Sequence, residues 1–269
     1  MLVSIIVTTK NEEINIKNCL ESIAKQSFPA EDTEIIVVDN NSADRTKEIA
    51  KKYTKKVFDY GPERSAQRNF GVEKASGKYV FYLDADMILS ENLVSESADL
   101  LEKNKNIVAL YIPEIVAGKN FWNKVRRFER SFYDGTVIDA VRFIRKEVFL
   151  NVGGFDENLT GPEDWDFDKK IRKNGKTGLI KSPLYHNEKE FNLRKYIRKK
   201  VYYAKDFEKY IAKWGKNDPD IRKQFSFFYR FFGVFMENGR WKKLFFNPRL
   251  AISMYFLRFL VGFNYLLKR

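Results

Sequence analysis

The strongest constraint on the fold is a run that recurs, with variations, along the first 112 residues. It is a short, apolar, β-branched stretch that ends in polar residues. VSIIVTT at 3–9, EIIVVD at 34–39, VFDY at 57–60, YVFYL at 79–83 and IVALYI at 107–112 all follow it. Strands that are apolar along their whole length must be covered on both faces, which is the condition of a parallel sheet between helix layers. The intervening segments fit helices. Asn11–Gln26 carries Ile14, Cys19, Leu20 and Ile23 at helical spacing. A second helix is expected through Ile49 to Tyr53 with Ser42 or Asp44 as cap, and a third over Ser65–Ala75. A fourth starts from Ser90 or Ser95. The expected class is α/β, a mainly parallel sheet flanked by helices.

In such sheets, ligands sit beyond the carboxyl ends of the strands. Three polar clusters fall there: Thr8–Glu12, Asp39–Ser42 and Asp84–Asp86. Asp84 and Asp86 are one residue apart at the end of YVFYLDADMIL. In extended backbone, residues i and i+2 point to the same side. Two carboxylates so placed suit a divalent cation such as Mg²⁺ or Mn²⁺. A turn whose aspartates satisfy local backbone donors reads the same residues without a metal.

Further along, Phe121–Phe132 reads as a helix, Ala140–Ile144 as a strand and Gly153-Gly154 as a turn. A helix over Asp164–Lys173 ends at Asn174-Gly175, and Thr177–Ile180 is a last strand. The single histidine, His186, follows that strand.

The motifs SIIVTTKNE, EIIVVDNNSADRT, RSAQRNFGVEKASGKYVFYLDADM, VGGFDENL and PEDWDF occur in this order between residue 3 and about 190. Together they resemble the inverting family 2 glycosyltransferases, enzymes with the GT-A nucleotide-sugar fold. The resemblance implies a GT-A catalytic domain over 1–190, with nucleotide-sugar binding in about 1–115 and the acceptor part in about 116–190. It implies that Thr8, Thr9 and Glu12 line the nucleotide pocket and that Asp39 reads the base or ribose. Arg64 and Arg68 would lie beside the nucleotide, Asp84 would face the ribose or a bound water, and Asp86 would ligate Mn²⁺ or Mg²⁺. An acid of the Glu163-Asp164 pair, Asp164 first and Glu163 as alternative, would be the general base that deprotonates the acceptor. His186 stands where many relatives place a metal ligand. The residues themselves leave plainer readings open. Asp39 could cap a helix, Asp164 could serve helix electrostatics, His186 could be structural, and Trp165 could fill a core slot or stack on a sugar.

The net charge of +13 is unevenly distributed. Residues 191–269 hold 19 Lys and Arg against 5 Asp and Glu, and 22 of the 42 aromatic residues. This basic, aromatic region is expected to be helical and to meet an anionic partner. Ile197, Val201, Ala204, Phe207, Ile211 and Trp214 define one apolar face. Arg222, Ser226, Arg230, Gly233, Glu237 and Arg240 define a narrow polar stripe in an otherwise aromatic segment. LAISMYFLRFLVGFNYLL, 250–267, approaches the length of a membrane span but carries Arg258 near its centre. An interfacial helix on an anionic membrane is therefore expected, with a polyprenyl-linked acceptor and no nucleic acid. Packing of these helices on the catalytic domain is the other reading.

A single cysteine excludes an internal disulfide framework. Met1–Val7 reads as a strand with no basic segment before it, which leads to a cytoplasmic, peripheral expectation. The donor is expected to be a UDP-sugar, with a GDP-sugar as the other choice. Two alternatives compete. A non-enzymatic nucleic-acid or membrane-surface binder leaves the three acid clusters unexplained. A sugar nucleotidyltransferase wants a glycine-rich loop after the first strand, and TTKNEE has none.

Overall fold

The computed structural model describes residues 2–187 and 191–266, the last three of these by backbone alone. The strands are β1 (Val3–Thr9), β2 (Thr33–Asp39), β3 (Val57–Asp59), β4 (Tyr79–Asp84), β5 (Met87–Leu89), β6 (Ile107–Tyr111), β7 (Glu114–Val116), β8 (Phe143–Arg145), β9 (Lys176–Leu179) and β10 (Leu184–His186). The helices of the first part are α1 (Ile16–Ala24), α2 (Thr46–Ala50), α3 (Arg64–Lys74), α4 (Leu93–Lys103), α5 (Phe121–Arg130), α6 (Lys146–Asn151) and α7 (Glu163–Asn174).

A seven-stranded sheet runs in the order β3-β2-β1-β4-β8-β6-β9, and a three-stranded sheet in the order β5-β10-β7. β1 to β4 are mutually parallel where they pair, and β8 is antiparallel to both of its neighbours. The expected strand at 140–144 is shifted to Phe143–Arg145. The preceding residues join the sheet only irregularly, since Arg142 N–H bonds to Leu110 O and Tyr82 N–H to Arg142 O. The expected caps also differ. Asp44 accepts from the N–H of Thr46 and of Glu13, while Ser42 turns back to Asp39. Helix α4 begins after Asn92 rather than at Ser90 or Ser95.

The doubly apolar strands are covered as their pattern requires. Val3, Ile5 and Val7 face α1 and α4, where Cys19, Leu20, Val94 and Leu101 are buried. Ile6, Ile36 and Val80 face the other way, onto Val72 of α3, Phe149 of α6 and Phe167 of α7. The result is a three-layer α/β/α body.

The C-terminal region is helical: α8 (Leu193–Tyr203), α9 (Phe207–Trp214), α10 (Pro219–Phe225), α11 (Val234–Met236), α12 (Lys242–Phe246) and α13 (Pro248–Leu266). The apolar face expected from Ile197 to Trp214 is divided between α8 and α9. The aromatic segment after 225 is likewise interrupted, by a non-helical Ser226, a π-helical turn over Tyr229–Gly233 and a 3₁₀ turn over Glu237–Gly239. Part of its polar stripe, Arg230 and Arg240, turns toward the body. Arg240 donates to Phe132 O and Asp134 O, each at 2.7 Å. Arg258 is buried on α13 and donates to Glu129 Oε1 at 2.7 Å, to the Tyr133 hydroxyl at 2.6 Å and to Arg230 O. Buried beside it, Ala251, Met254 and Leu257 pack against Val125, Phe128 and Phe132 of α5 and its C-terminal turn.

The opposite face of α13 is bare. Ile252, Phe256, Phe259 and Phe263 step by 4, 3 and 4, and each is at least half exposed. Phe227, Phe228 and Phe232 add to this surface, and Phe232 reaches the Tyr255 ring. Among the described residues, no helix is long and apolar enough to cross a membrane. The last residue of the 250–267 stretch lies outside the described residues.

Candidate active site

Register builds the site. In the parallel ladder Thr8 stands opposite Asp84, and Thr9 opposite Asp39. The polar ends of β1, β2 and β4 therefore share one edge of the sheet. Thr8 donates its hydroxyl to Asp84 Oδ1 at 3.0 Å. Thr9 is buried, and its backbone oxygen accepts from Gln67 on α3. Glu12 accepts from the Asn15 amide, and Asn15 in turn accepts from Asn187, next to His186. Asp39 holds its own loop together, because both of its oxygens accept from Ser42, one from the backbone N–H and one from the hydroxyl, each at 2.6 Å.

Helix α3 brings Arg64 and Arg68 to the same edge, one turn apart. Arg68 is fully buried, its guanidinium 4.5 Å from the Tyr82 ring centroid. It donates to Asp84 Oδ1 at 3.3 Å and to Asp164 Oδ1 at 2.7 Å. Arg64 lies 3.5 Å from Asp84 Oδ2 and donates to Glu163 Oε1 at 3.0 Å. The two arginines thus tie the acid at the end of β4 to the acids that open α7. Burial would push the Asp84 carboxyl up, but Arg68, Arg64 and Arg142 hold it well below its usual range. Burial and the neighbouring Asp164 push Glu163 above its ordinary value, against the pull of Arg64 and Arg68.

Asp86 faces His186. Strands β5 and β10 pair antiparallel, and Asn187 N–H bonds to Asp86 O. His186 Nε2 is 3.1 Å from Asp86 Oδ2, and Nδ1 is 2.9 Å from Glu114 Oε1. Burial alone would lower the imidazole pKa, but the hydrogen bonds to Asp86 and Glu114 raise it to about 10, so a cation at Nε2 would displace the proton shared with Asp86. Asp86 Oδ1 is buried and has no partner among the described residues. An orphaned carboxylate oxygen beside an imidazole nitrogen fits a divalent cation of the Mn²⁺ or Mg²⁺ kind. Among the described residues no group of three or more His, Cys, Asp or Glu could hold a metal. Asp86 and His186 could supply two ligands, and the remaining positions would then fall to phosphate oxygens and water.

Glu114 and Arg142 escaped the sequence reading, as did the part the C-terminal region plays here. The Tyr203 ring lies 5.3 Å from the Arg64 guanidinium, and the Tyr202 hydroxyl donates to Glu63 at 2.8 Å. Gly161, at φ +106°, lies under the Tyr203 carbonyl, where a Cβ would come within 1.8 Å of the oxygen. Trp165 fills a core slot between Phe207, Tyr210 and Phe225. The Gly153-Gly154 turn has both residues at positive φ and leads into Phe155, which packs on Phe167 and under Arg68. Asp156 pairs with Lys213.

The model of "Glycosyl transferase family 2" matches residues 4–155, more than half of the chain. The chain belongs to glycosyl transferase family 2. Among curated relatives, GgaB of Bacillus subtilis, a minor teichoic acid biosynthesis protein, is 28% identical over 207 residues, covering 68% of this chain and 22% of its own. The glycosyltransferase AglE of Haloferax volcanii is 27% identical over 196 residues, covering 64% of this chain and 62% of its own. The chain thus spans less than two thirds of either relative. Among solved structures, Staphylococcus aureus TarS 1–349 in complex with UDP-GlcNAc superposes with a TM-score of 0.60 at 21% identity, over 94% of this chain and 79% of that one. The mannosyltransferase PcManGT of Pyrobaculum calidifontis, in complex with GDP-Man and Mn²⁺, gives 0.62 at 19%, over 98% and 79%. These two likenesses establish the shared GT-A-like fold. The alternatives of a binder without catalysis and of a nucleotidyltransferase give way to the family assignment.

Proposed function

We propose that this glycosyltransferase moves a sugar, with inversion, from a nucleoside-diphosphate sugar to an acceptor hydroxyl or phosphate carried by a membrane lipid. The observation that carries the reading is the bridge from Asp84 through Arg64 and Arg68 to Glu163 and Asp164. It joins the edge where a nucleotide would lie to the acids that would face an acceptor. Thr8, Thr9 and Glu12 would line the nucleotide, Asp39 would shape its loop through Ser42, and Arg64 and Arg68 would meet the diphosphate. Asp164, oriented by Arg68, would take the proton from the acceptor oxygen as that oxygen attacks C1. Glu163, locked by Arg64, would hold the start of α7 in place. Asp86 and His186 would hold Mn²⁺ or Mg²⁺. Such a cation, when bound, stabilises the charge growing on the departing diphosphate.

The membrane reading rests on the bare aromatic face of α13 together with the exposed Lys242, Lys243 and Arg249 beside it. Apolar side chains over a basic rim suit an anionic bilayer surface. Cys19, buried and unpaired, is compatible with a reducing compartment, here the cytoplasmic face of the membrane.

The test is hydrolysis of a panel of UDP- and GDP-sugars with Mn²⁺, which reveals the donor in the absence of an acceptor. Calorimetry with UDP and Mn²⁺ accompanies it. Metal-linked nucleotide binding and slow release of one sugar are expected. A protein that neither binds a nucleoside diphosphate nor hydrolyses any sugar nucleotide refutes the reading.

A further inference from the structure

The geometry points to Glu114 as the positioning residue of the metal centre: its carboxylate accepts the Nδ1 proton of His186 and so turns the Nε2 lone pair toward the point that Asp86 faces. This inference rests on the proposed ligand roles of Asp86 and His186 and adds a residue that neither motif nor family match supplies.

Three observations carry it. The first is distance. Glu114 Oε1 and Asp86 Oδ2 take opposite nitrogens of the same ring, at 2.9 Å and 3.1 Å. An imidazole with one nitrogen engaged by a carboxylate has its tautomer and ring plane fixed, which leaves the other nitrogen as donor to a metal. The second is that Glu114 is itself held. Its Oε2 accepts from Arg130 at 3.0 Å and from Arg142 at 3.3 Å, and its side chain is 8% exposed. These two arginines fix the orientation of the carboxylate, with Oε1 left to face His186. The third is backbone register. In the small sheet, β10 pairs parallel with β7, placing His186 opposite Val116, and antiparallel with β5, placing His186 opposite Met87. One strand thus sets the imidazole between Glu114 and Asp86. Asp86 Oδ1 is buried and unpartnered among the described residues.

A purely structural role, in which Glu114 only neutralises Arg130 and Arg142, makes a different prediction about the ring. Because His186 is the only histidine, ¹⁵N-histidine labelling of the full chain gives a single imidazole spectrum. With UDP and Mg²⁺ bound, the parent should show a protonated Nδ1 and a metal-shifted Nε2. In Glu114→Ala Nδ1 loses its partner and only Asp86 still holds the ring, and in Glu114→Gln the amide can donate to Nδ1 and favour the opposite tautomer. Both variants should change the imidazole pattern. Both should weaken Mn²⁺ binding, followed by the electron paramagnetic resonance of free Mn²⁺ with UDP present, by about ten- to a hundredfold. Glu114→Gln keeps the volume and serves if the alanine variant does not fold. His186→Ala separates the ligand from the residue that orients it. If it binds Mn²⁺ like the parent, the ligand role of His186 falls and this inference falls with it. If it loses Mn²⁺ while both Glu114 variants keep the parent's affinity and imidazole pattern, the inference about Glu114 alone is overturned.

Discussion

Arg64 and Arg68 at the sheet edge and Arg240 and Arg258 in the C-terminal region are all arginines at joints, yet their partners differ. The first pair meets carboxylates from two separate elements, Asp84 at the end of β4 and Glu163 and Asp164 at the start of α7. The second pair meets backbone carbonyls, one tyrosine and one glutamate. Carboxylates shared between two arginines can exchange partners when an anion arrives. Carbonyls at the end of a helix cannot move without unwinding it. The edge is therefore built to be rearranged, and the C-terminal joint to stay closed.

That contrast can be broken from either side. The largest effect is expected at the edge. Asp164→Asn should lower transfer by about a hundredfold to ten-thousandfold while leaving UDP affinity within calorimetric error. Near-normal turnover would remove Asp164 as the base. In the C-terminal joint, Arg258→Met should cost about 1–3 kcal/mol in urea unfolding, because buried Glu129 loses one of its two arginine partners while Arg126 stays paired with it. Adding Glu129→Leu should deepen the loss, because the buried Arg126 then loses that carboxylate as well. Recovery would mean that Glu129 serves Arg258 alone.

A third charge sharpens the comparison at the far end of the strands. Glu34 is buried and accepts from Lys56, from Ser4 and from Ser76. Burial would raise its pKa, but these hydrogen bonds lower it to about 2. A carboxyl depressed in the folded state stabilises it above the unfolded pKa, and that contribution fades as the pH falls from about 4.5 toward about 2. Glu34→Gln should therefore be less stable than the parent by about 2 kcal/mol at pH 7, with the gap narrowing across that window. A gap independent of pH would contradict the assignment. The smallest effect on folding is expected on the bare face. Phe256→Glu with Phe259→Glu should stay within about 0.5 kcal/mol of the parent, as exposed substitutions do, yet abolish flotation with anionic vesicles. Parent-like flotation would remove the membrane role of this face.

The strands and their polar ends were legible because burial on both faces forces an apolar run, and such a run can carry Asp84 and Asp86 only past its end. Glu114 and Arg142 were not legible. Glu114 reaches His186 across 72 positions of chain, and nothing in its neighbourhood marks it as different from any surface glutamate. The C-terminal stripe was visible as a stripe, but periodicity gives two faces and does not say which one turns inward. Arg222 lies outside, while Arg230 and Arg240 turn toward the body, and Phe227, Phe228 and Phe232 take the solvent side while Phe235 is buried. The cost of Arg258 at the centre of a span was legible too. Its partner was not, because Glu129 lies 129 positions earlier on a helix whose own sequence shows no vacancy for it.

The seat of Tyr203 on Gly161 bears on how such enzymes could be recombined. The family match ends at residue 155 and the C-terminal helices begin at Leu193, so a cut near residue 190 looks natural for exchanging the helical region. A donor helix grafted there would bring its own backbone down on a glycine that tolerates no side chain, and its own ring onto Arg64. Modules would be interchangeable only when residues 161 and 203 travel as a pair, which makes this contact a compatibility key between the α/β body and the C-terminal helices.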